Sequence, residues 1–148
     1  FELIEKSVVK TPLKSKNKKD VIKEMVEILH KAGKVKDVKT ALKDLYEREE
    51  LSSTGLGNGI AIPHAKTLAV NTLTIAIGLS PKGIEFDSLD DLPANYFFLI
   101  LAAPDQSSPH LQALTEIARL TRDQEFCQEL LKSSNSADVV KLFARESF

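Results

Sequence analysis

The feature that most constrains the fold is an unbroken apolar segment, YFFLILAA, at residues 96–103. All of its side chains are aliphatic or aromatic, so a strand formed by it has no polar face to turn toward water. The segment is also far shorter than the roughly 20 residues that a membrane-spanning helix needs. It is therefore predicted to be a central strand whose sheet is covered on both faces.

An alternating pattern predicts a second strand earlier in the chain, in TLTIAIGLS at residues 72–80. One face of this strand carries the large apolar side chains, which are Leu73, Ile75, Ile77 and Leu79. The other face carries small residues, which suits a strand with helices packed closely on it. PKGIEF, at residues 81–86, is interpreted as a turn into a short strand, with Gly83 marking the turn.

Apolar residues at helical spacing predict five helices. One runs from an N-cap at Asp20 to a stop at Gly33, and the next begins after an N-cap at Asp37. Three more close the chain, and they cover residues 109–121, 123–132 and 136–145. The N-caps predicted for these three are Ser108, Asp123 and Ser136.

Length and element order define the predicted fold class. The chain has 148 residues, enough for one domain. Two helices, several strands and three further helices describe an α/β fold: a single-domain sandwich over residues 1–148, with a mixed central sheet flanked by helices.

Composition narrows the function classes. A formal net charge of -1 argues against a general binder of nucleic acid or anionic membranes. The single cysteine, Cys127, excludes an internal disulfide and fits a reducing compartment. Because no apolar run is long enough to cross a membrane, we expect a cytoplasmic protein without direct membrane insertion.

The segment STGLGNGIAIPHAK, residues 53–66, presents one histidine after a glycine-rich loop. Its G-x-G-x-G spacing precedes a strand-like IAI and does not match the dinucleotide-binding fingerprint, so a nucleotide site is not predicted. Pro63 favours an extended conformation at the residue before it, so His64 is expected where a strand meets a loop at the edge of a cleft. A buried structural histidine would fit the same position. The loop also offers three further candidates for a phosphoryl pocket, which are Ser53, Thr54 and Asn58.

Two more residues are candidates for a site shared with His64. In APDQSSPH, residues 103–110, His110 is predicted in the first turn of a helix, whose positive end favours an anion and disfavours a charged imidazole. Arg48 lies just ahead of the glycine loop and carries a planar fork of donors that suits phosphate. Each has a structural alternative: an exposed first-turn residue for His110, and a salt bridge with neighbouring glutamates for Arg48.

Two long segments resemble signatures of one family. REELSSTGLGNGIAIPHA, residues 48–65, resembles the phosphorylation-site signature of the mannitol/fructose-type enzyme IIA domains of the bacterial phosphoenolpyruvate-dependent sugar phosphotransferase system. YFFLILAAPDQSSPHLQALTEIARLTRD, residues 96–123, resembles that family's second signature, and the resemblance spans essentially the whole chain. One departure is Asp90-Asp91, where aspartate-glycine is expected; it affects a turn and leaves the histidines untouched.

The resemblance implies a role for each residue of the candidate site. His64 would accept a phosphoryl group on Nε2 from an HPr-type phosphocarrier protein and pass it to a IIB domain of a sugar permease. His110 would stabilise that group, and Arg48 would add positive charge beside it. The resemblance implies no metal and no cofactor. The apolar loop residue Leu56 would contribute to a small transient interface with each partner.

Two hypotheses from different classes stay open. In the first, the chain is a phosphotransferase domain that carries phosphate covalently on His64. In the second, it is a nitrogen-related regulatory module of the same fold, which signals by protein binding according to its phosphorylation state. The joint presence of His64, His110 and Arg48 favours an intact transfer site. A metal site built from His30, His64 and His110 is disfavoured because these residues lack ligand spacing.

Overall fold

Helices lie on both faces of a central sheet in the computed structural model, which describes residues 4–146. Within that range the α-helices are α1 (Lys18–Lys31), α2 (Val38–Leu51), α3 (Ser107–Thr121), α4 (Gln124–Lys132) and α5 (Ser136–Arg145). The strands are β1 (Val9–Lys10), β2 (Gly55–Gly57), β3 (Ile60–Ala61), β4 (His64–Lys66), β5 (Thr74–Ile84) and β6 (Ala94–Ala102). A short 3₁₀ helix, Lys6–Val8, precedes β1. None of the helices described in this range is long and apolar enough to cross a membrane.

The sheet is mixed, and β6 is its most connected strand. The strand order is β1-β5-β6-β3-β2, with β4 also paired to β6. β5 runs antiparallel to β6, whereas β3 and β4 both run parallel to it. β3 places Ile60 opposite Tyr96, and β4 places His64 opposite Ile100. The predicted α/β fold with a mixed sheet flanked by helices is therefore confirmed.

The side chains of β6 alternate between two separate cores. Phe97, Leu99 and Leu101 join the cluster formed with α1 and α2. Tyr96, Phe98 and Ile100 join the cluster formed with α3, α4 and α5. Since burying one large apolar side chain contributes about 1.5–3 kcal/mol, β6 anchors both helical layers. The predicted alternation along β5 is also confirmed: Ile75, Ile77 and Leu79 face the second cluster, and Ala76 faces the first.

Three predicted N-caps are wrong, and two of them are those of α1 and α5. α1 follows Asn17, whose Oδ1 accepts the Asp20 N–H at 2.9 Å, and α5 follows Asn135, whose Oδ1 accepts the Asp138 N–H at 3.0 Å. In both cases an asparagine lies ahead of the residue predicted as the cap, Asp20 or Ser136. Asparagine caps a helix as well as aspartate or serine does, so the helix begins at the earlier residue.

The predicted N-caps of α2 and α4 and the predicted end of α1 are confirmed. The carboxylate of Asp37 accepts the Thr40 N–H at 3.1 Å, and that of Asp123 caps α4 in the same way. Gly33 follows α1 with a φ of 77°, the left-handed conformation that glycine adopts without strain.

PKGIEF is not a turn into a separate strand, as the sequence predicted. β5 continues to Ile84, which still lies opposite Ala94 of β6. The register shifts between Leu79 and Ile84, and Gly83 has a φ of 82° inside this irregularity. From Leu79 to Ile84 β5 advances five residues while β6 advances two, so the irregularity accommodates three extra residues of β5 without ending the strand. The glycine lies in this irregularity rather than in a turn between two strands.

A tight hairpin accounts for the glycine-rich loop. Asn58 and Gly59 form the two-residue connection between β2 and β3, with φ values of 56° and 79°. Positive φ at both central residues is typical of a type I′ turn, for which Asn-Gly is a preferred pair. The hairpin itself therefore explains this glycine.

The Asp90-Asp91 pair ties the β5–β6 connection to this hairpin. The Asp90 carboxylate accepts the Asn58 N–H at 3.0 Å and the Leu92 N–H at 3.1 Å. Asp91 has a φ of 59°. The turn thus keeps the backbone conformation that a glycine at this position would favour.

Replacing Gly59 by alanine is expected to lower the free energy of unfolding more than replacing Gly33. Both residues have a left-handed φ, so each alanine costs about 1 kcal/mol in backbone strain. A Cβ at position 59 would also lie 2.9 Å from Asn95 Oδ1, whereas a Cβ at position 33 meets no described residue beyond its chain neighbours within 4 Å. Urea unfolding of the two variants measures the difference; equal losses would contradict the close approach at Gly59.

Candidate functional site

His64 is the first residue of β4, and its ring is fixed by a backbone carbonyl. Nδ1 lies 2.7 Å from the carbonyl oxygen of Ile62. Because a carbonyl oxygen only accepts, Nδ1 carries the hydrogen, and Nε2 of the neutral ring keeps its lone pair. Within residues 4–146, Nε2 has no hydrogen-bond partner. The free nitrogen of this half-buried ring is thus the nucleophilic one.

The backbone around this carbonyl is held on both sides. The Ile62 N–H donates to the Thr54 carbonyl at 3.0 Å, and the Pro63 carbonyl accepts the Ile100 N–H at 2.9 Å. Ile62 and Pro63 form the short break between β3 and β4, which both pair with β6. His64 lies opposite Ile100, so its side chain points toward the layer of α3, α4 and α5.

α3 brings His110 against His64. The two ring centroids are 5.5 Å apart, and the ring planes are tilted by 56°. His110 is only 7% exposed, and its Nε2 is buried without a hydrogen-bond partner in the described part of the chain. A buried polar atom in this state lowers stability unless a bound group supplies the missing partner.

The predicted start of α3 is wrong, which changes the position of His110 in the helix. The N-cap is Gln106 rather than Ser108, and the helix begins at Ser107. Pro109 is therefore the third helical residue, where its missing N–H is not needed, and not the first. His110 is the fourth, and its N–H already donates to the Gln106 carbonyl at 3.0 Å.

The pKa of His64 lies below the ordinary value for histidine. Burial of the ring is the largest cause, and the hydrogen bond to Ile62 acts in the opposite direction. The guanidinium of Arg48 lowers the pKa further, and the carboxylate of Glu49 raises it. The lowered pKa extends the pH range in which Nε2 carries a free lone pair.

His110 also has a lowered pKa. Burial is again the largest cause, followed by the charges of His64 and Lys66. From the helix end alone, the sequence predicted a neutral imidazole here. The direction of the pKa shift agrees with that prediction, but its largest cause is burial of the ring. The pair thus places two imidazoles that favour the neutral form side by side.

Arg48 lies in the last turn of α2 and is half-buried. Its Nη1 donates to the Ser52 carbonyl at 3.0 Å, at the C-cap of the helix. No carboxylate among residues 4–146 lies within ion-pair distance of Arg48, and its neighbour Glu49 binds Lys18 instead. The alternative of a salt-bridged arginine is therefore wrong, and the guanidinium keeps further donors for another group.

The hydroxyls of the loop candidates Ser53 and Thr54 donate to groups outside the loop. Ser53 Oγ donates to the Phe86 carbonyl at 2.9 Å and accepts the Gly55 N–H at 3.0 Å. Thr54 is buried, and both its N–H and its Oγ1 donate to the Glu49 carboxylate. Both residues fix the shape of the loop ahead of the β2–β3 hairpin.

The third loop candidate, Asn58, lies away from the two histidines. Its hairpin ends beside Tyr96, four residues before Ile100 on β6, which is roughly 13 Å along the strand. Asn58 instead lines a separate cavity of about 670 Å³, between the hairpin and the residues around the α3–α4 junction such as Arg122.

Lys66 is a part of the site that the sequence analysis missed. Its Nζ donates to Ser107 Oγ at 2.7 Å, at the start of α3, and its charge lowers the pKa of His110. Lys66 is two residues beyond His64 in the same strand, and residues at that spacing point to the same face. This alternation is the signal that could have identified it.

His30 is not part of this site. It lies near the end of α1, on the opposite layer, and its Nδ1 is 2.8 Å from the Val35 carbonyl oxygen. In the part of the chain that the structure describes, no three histidine, cysteine or acidic side chains are grouped as a metal site would require. The structure thus pairs His64 with His110 and leaves the third histidine apart.

Sequence comparison connects this geometry to known proteins. The family model described as "Phosphoenolpyruvate-dependent sugar phosphotransferase system, EIIA 2" matches residues 2–146. The chain is 40% identical over 141 residues to the fructose-specific EIIABC component of Bacillus subtilis, covering 95% of this chain but only 22% of that protein. It is 38% identical to the fructose-specific EIIA component of Haloferax volcanii, covering 86% of this chain and 82% of that protein. It is 30% identical to a nitrogen regulatory protein of Bradyrhizobium diazoefficiens, covering 97% of this chain and 93% of that protein.

Solved structures share this fold. The nitrogen regulatory protein IIA-Ntr of Neisseria meningitidis matches with a TM-score of 0.87 and 26% identity, over 95% of this chain and 96% of that one. The mannitol enzyme IIA of Escherichia coli, solved in complex with phosphorylated enzyme IIB, matches with a TM-score of 0.80, over 95% and 96%. Its identity of 24% shows the fold alone. The resemblance found in the two signatures is confirmed, and the chain belongs to the EIIA 2 family of the phosphoenolpyruvate-dependent sugar phosphotransferase system.

Proposed function

We propose that this chain is a phosphoryl carrier of a sugar-uptake system. His64 accepts the phosphoryl group on Nε2 from a phosphohistidine of an HPr-type protein and passes it to a IIB domain. The observation that carries this proposal is the pair of imidazoles: a free Nε2 on His64 lies beside a buried His110 whose Nε2 has no partner in the described residues. The likeness to two fructose-specific relatives supports the transport role.

The reaction exchanges one phosphorus–nitrogen bond for another. The Nε2 lone pair of His64 attacks phosphorus, the bond to the donor imidazole breaks, and its electron pair returns to the donor ring. Phosphorylation leaves the His64 ring with positive charge, and the Nδ1–H bond to the Ile62 carbonyl stabilises that charge. In transfer to the IIB domain, a nucleophile of that domain attacks phosphorus, the bond to His64 Nε2 breaks, and its electron pair returns to the His64 ring.

The remaining residues act on the phosphoryl oxygens. Negative charge is spread over three equatorial oxygens during transfer, so catalysis depends on positioning and on nearby positive charge. His110 donates to one oxygen from Nε2, and Arg48 and Lys66 supply the positive charge on either side. Leu56, which is 50% exposed, contributes apolar area to the transient contact with each partner protein.

A nitrogen-related regulatory role is the second candidate. It is favoured by the 30% identity to a nitrogen regulatory protein over almost the whole length of both chains. In this role the phosphoryl group on His64 changes the affinity for a target protein, and no sugar permease is involved. The two roles are distinguished by measuring whether the phosphorylated chain delivers phosphate to a IIB domain, which only the transport role requires.

Replacing His64 by alanine is expected to abolish phosphorylation. The free Nε2 of His64 belongs to a half-buried ring, whereas the Nε2 of His110 is buried and out of reach of a donor protein. Phosphoenolpyruvate, enzyme I and an HPr-type carrier are supplied, and intact mass is measured before and after acid treatment. The wild type gains one acid-labile phosphate. His30→Ala is the matched control and keeps that gain, since His30 lies on the opposite layer. Normal uptake by the His64 variant would refute the assignment.

Replacing His110 by alanine is expected to slow phosphoryl transfer by roughly 10- to 100-fold, the effect of losing one charge-assisted hydrogen bond. Rapid-quench measurement of transfer from the phosphorylated carrier gives the rate. Circular dichroism should show an unchanged fold, because His110 Nε2 makes no hydrogen bond within the described chain. An unchanged rate would exclude His110 from the reaction.

Replacing Arg48 by alanine is expected to move the acid limb of the rate–pH profile to higher pH. The guanidinium lowers the pKa of His64, so its removal raises that pKa and protonates the nucleophile at a higher pH. Arg48→Lys keeps the charge and should leave the acid limb in place with a lower plateau, because the planar fork is lost. An unfolded Arg48→Ala variant would instead identify the bond to Ser52 as the main role of this residue.

A further inference from the structure

Glu49 is a buried carboxylate that makes no hydrogen bond to either imidazole of the site. Its side chain is 6% exposed. Oε2 accepts from Lys18 Nζ at 2.8 Å and from the Thr54 N–H at 3.2 Å, and Oε1 accepts from Thr54 Oγ1. Because Lys18 belongs to α1 and Glu49 to α2, one carboxylate joins both helices to the loop that leads into β2.

The hydrogen bonds continue from this carboxylate to His64 without a gap. Thr54 donates its N–H to Glu49 and accepts the Ile62 N–H on its own carbonyl at 3.0 Å. Ile62 in turn accepts the His64 Nδ1–H on its carbonyl at 2.7 Å. The Ile62 carbonyl, whose hydrogen bond sets the His64 tautomer, is therefore linked through Thr54 to Glu49.

The burial of Glu49 needs an explanation, because taking a carboxylate out of water is costly even when it is paired. Glu47, on the same helix, shows the ordinary arrangement: it is exposed and lies 3.8 Å from Lys43. Glu49 instead has donors from three groups, and two of them belong to Thr54. The loop residue, rather than the lysine alone, is what this carboxylate is arranged to hold.

We propose that Glu49 is a positioning residue for phosphoryl transfer. By holding Thr54 it fixes the Ile62 carbonyl, which keeps the hydrogen of His64 on Nδ1 and the lone pair on Nε2. Its effect on transfer rests on the function proposed above. Its effect on the His64 tautomer does not rest on that function, so an experiment can reject either effect without rejecting the other.

The test compares two substitutions of Glu49 by nitrogen NMR of ¹⁵N-histidine-labelled protein, at a pH where both rings are neutral. Glu49→Leu removes every acceptor while keeping bulk, and Lys18 retains Asp87 at 3.6 Å. Glu49→Gln keeps an oxygen for the Thr54 N–H. Glu47→Leu is the matched control on the same helix.

The wild type, the control and Glu49→Gln should show His64 with its hydrogen on Nδ1. Glu49→Leu should show a mixture with the hydrogen on Nε2, and its transfer rate should fall roughly tenfold, as expected for a misplaced nucleophile. A folded Glu49→Leu variant with the wild-type tautomer and rate would overturn the inference.

Folding failure has a defined meaning as well. Glu49→Ala is the second variant, and if neither it nor Glu49→Leu folds, Glu49 is a structural tie between α1 and α2 and the positioning role is rejected. If the wild-type protein takes up no phosphate but its His64 tautomer still depends on Glu49, the proposed function is refuted. The link between Glu49 and the His64 tautomer is then retained.

Discussion

β6 has no face left for water, and the other elements are arranged around that constraint. One set of its side chains requires the α1–α2 layer, and the other set requires the layer of α3, α4 and α5. Its parallel edge is shared by β3 and β4, which leaves a two-residue break between them. The break supplies the carbonyl that binds His64. The site therefore follows from the way two short strands are fitted to one buried strand.

The two helical layers contribute differently to the site. α3 supplies His110, and its first residue, Ser107, holds Lys66; these groups lie on the same side of the sheet as His64. α2 supplies Arg48 and Glu49 from the opposite layer, through the loop ahead of β2. His110 has a ring nitrogen without a partner among residues 4–146, and Glu49 has a buried carboxylate; each feature lowers stability when considered alone. Their concentration at one place is typical of a site that is selected for chemistry.

Much of this arrangement could be predicted from the sequence, and the failures have physical causes. β6, the alternating face of β5 and the histidine pair follow from local patterns. The predicted starts of α1 and α5 failed because two capping residues compete within three positions, and short-range patterns do not rank them. The role of Glu49 could not be predicted because Lys18 is distant from it in the sequence. Glu49 also lies among other acidic residues at the end of α2, so nothing in the local sequence relates it to Thr54. Which carbonyl fixes the His64 ring depends on the three-dimensional path of Ile62, and no spacing rule contains that information.

The parallel register of β4 on β6 has a consequence for how sequences of this kind can change in length. Side chains of a strand alternate faces, so adding or deleting one residue in the Ile62–Pro63 break would shift β4 by one position. The imidazole would then enter the aliphatic core beneath α1 and α2, and Ala65 or Pro63 would face His110 in its place. A length change between α4 and α5 would disturb no such alternation. Insertions and deletions should therefore be absent from the residues just before the histidine and tolerated in the helical C-terminal third.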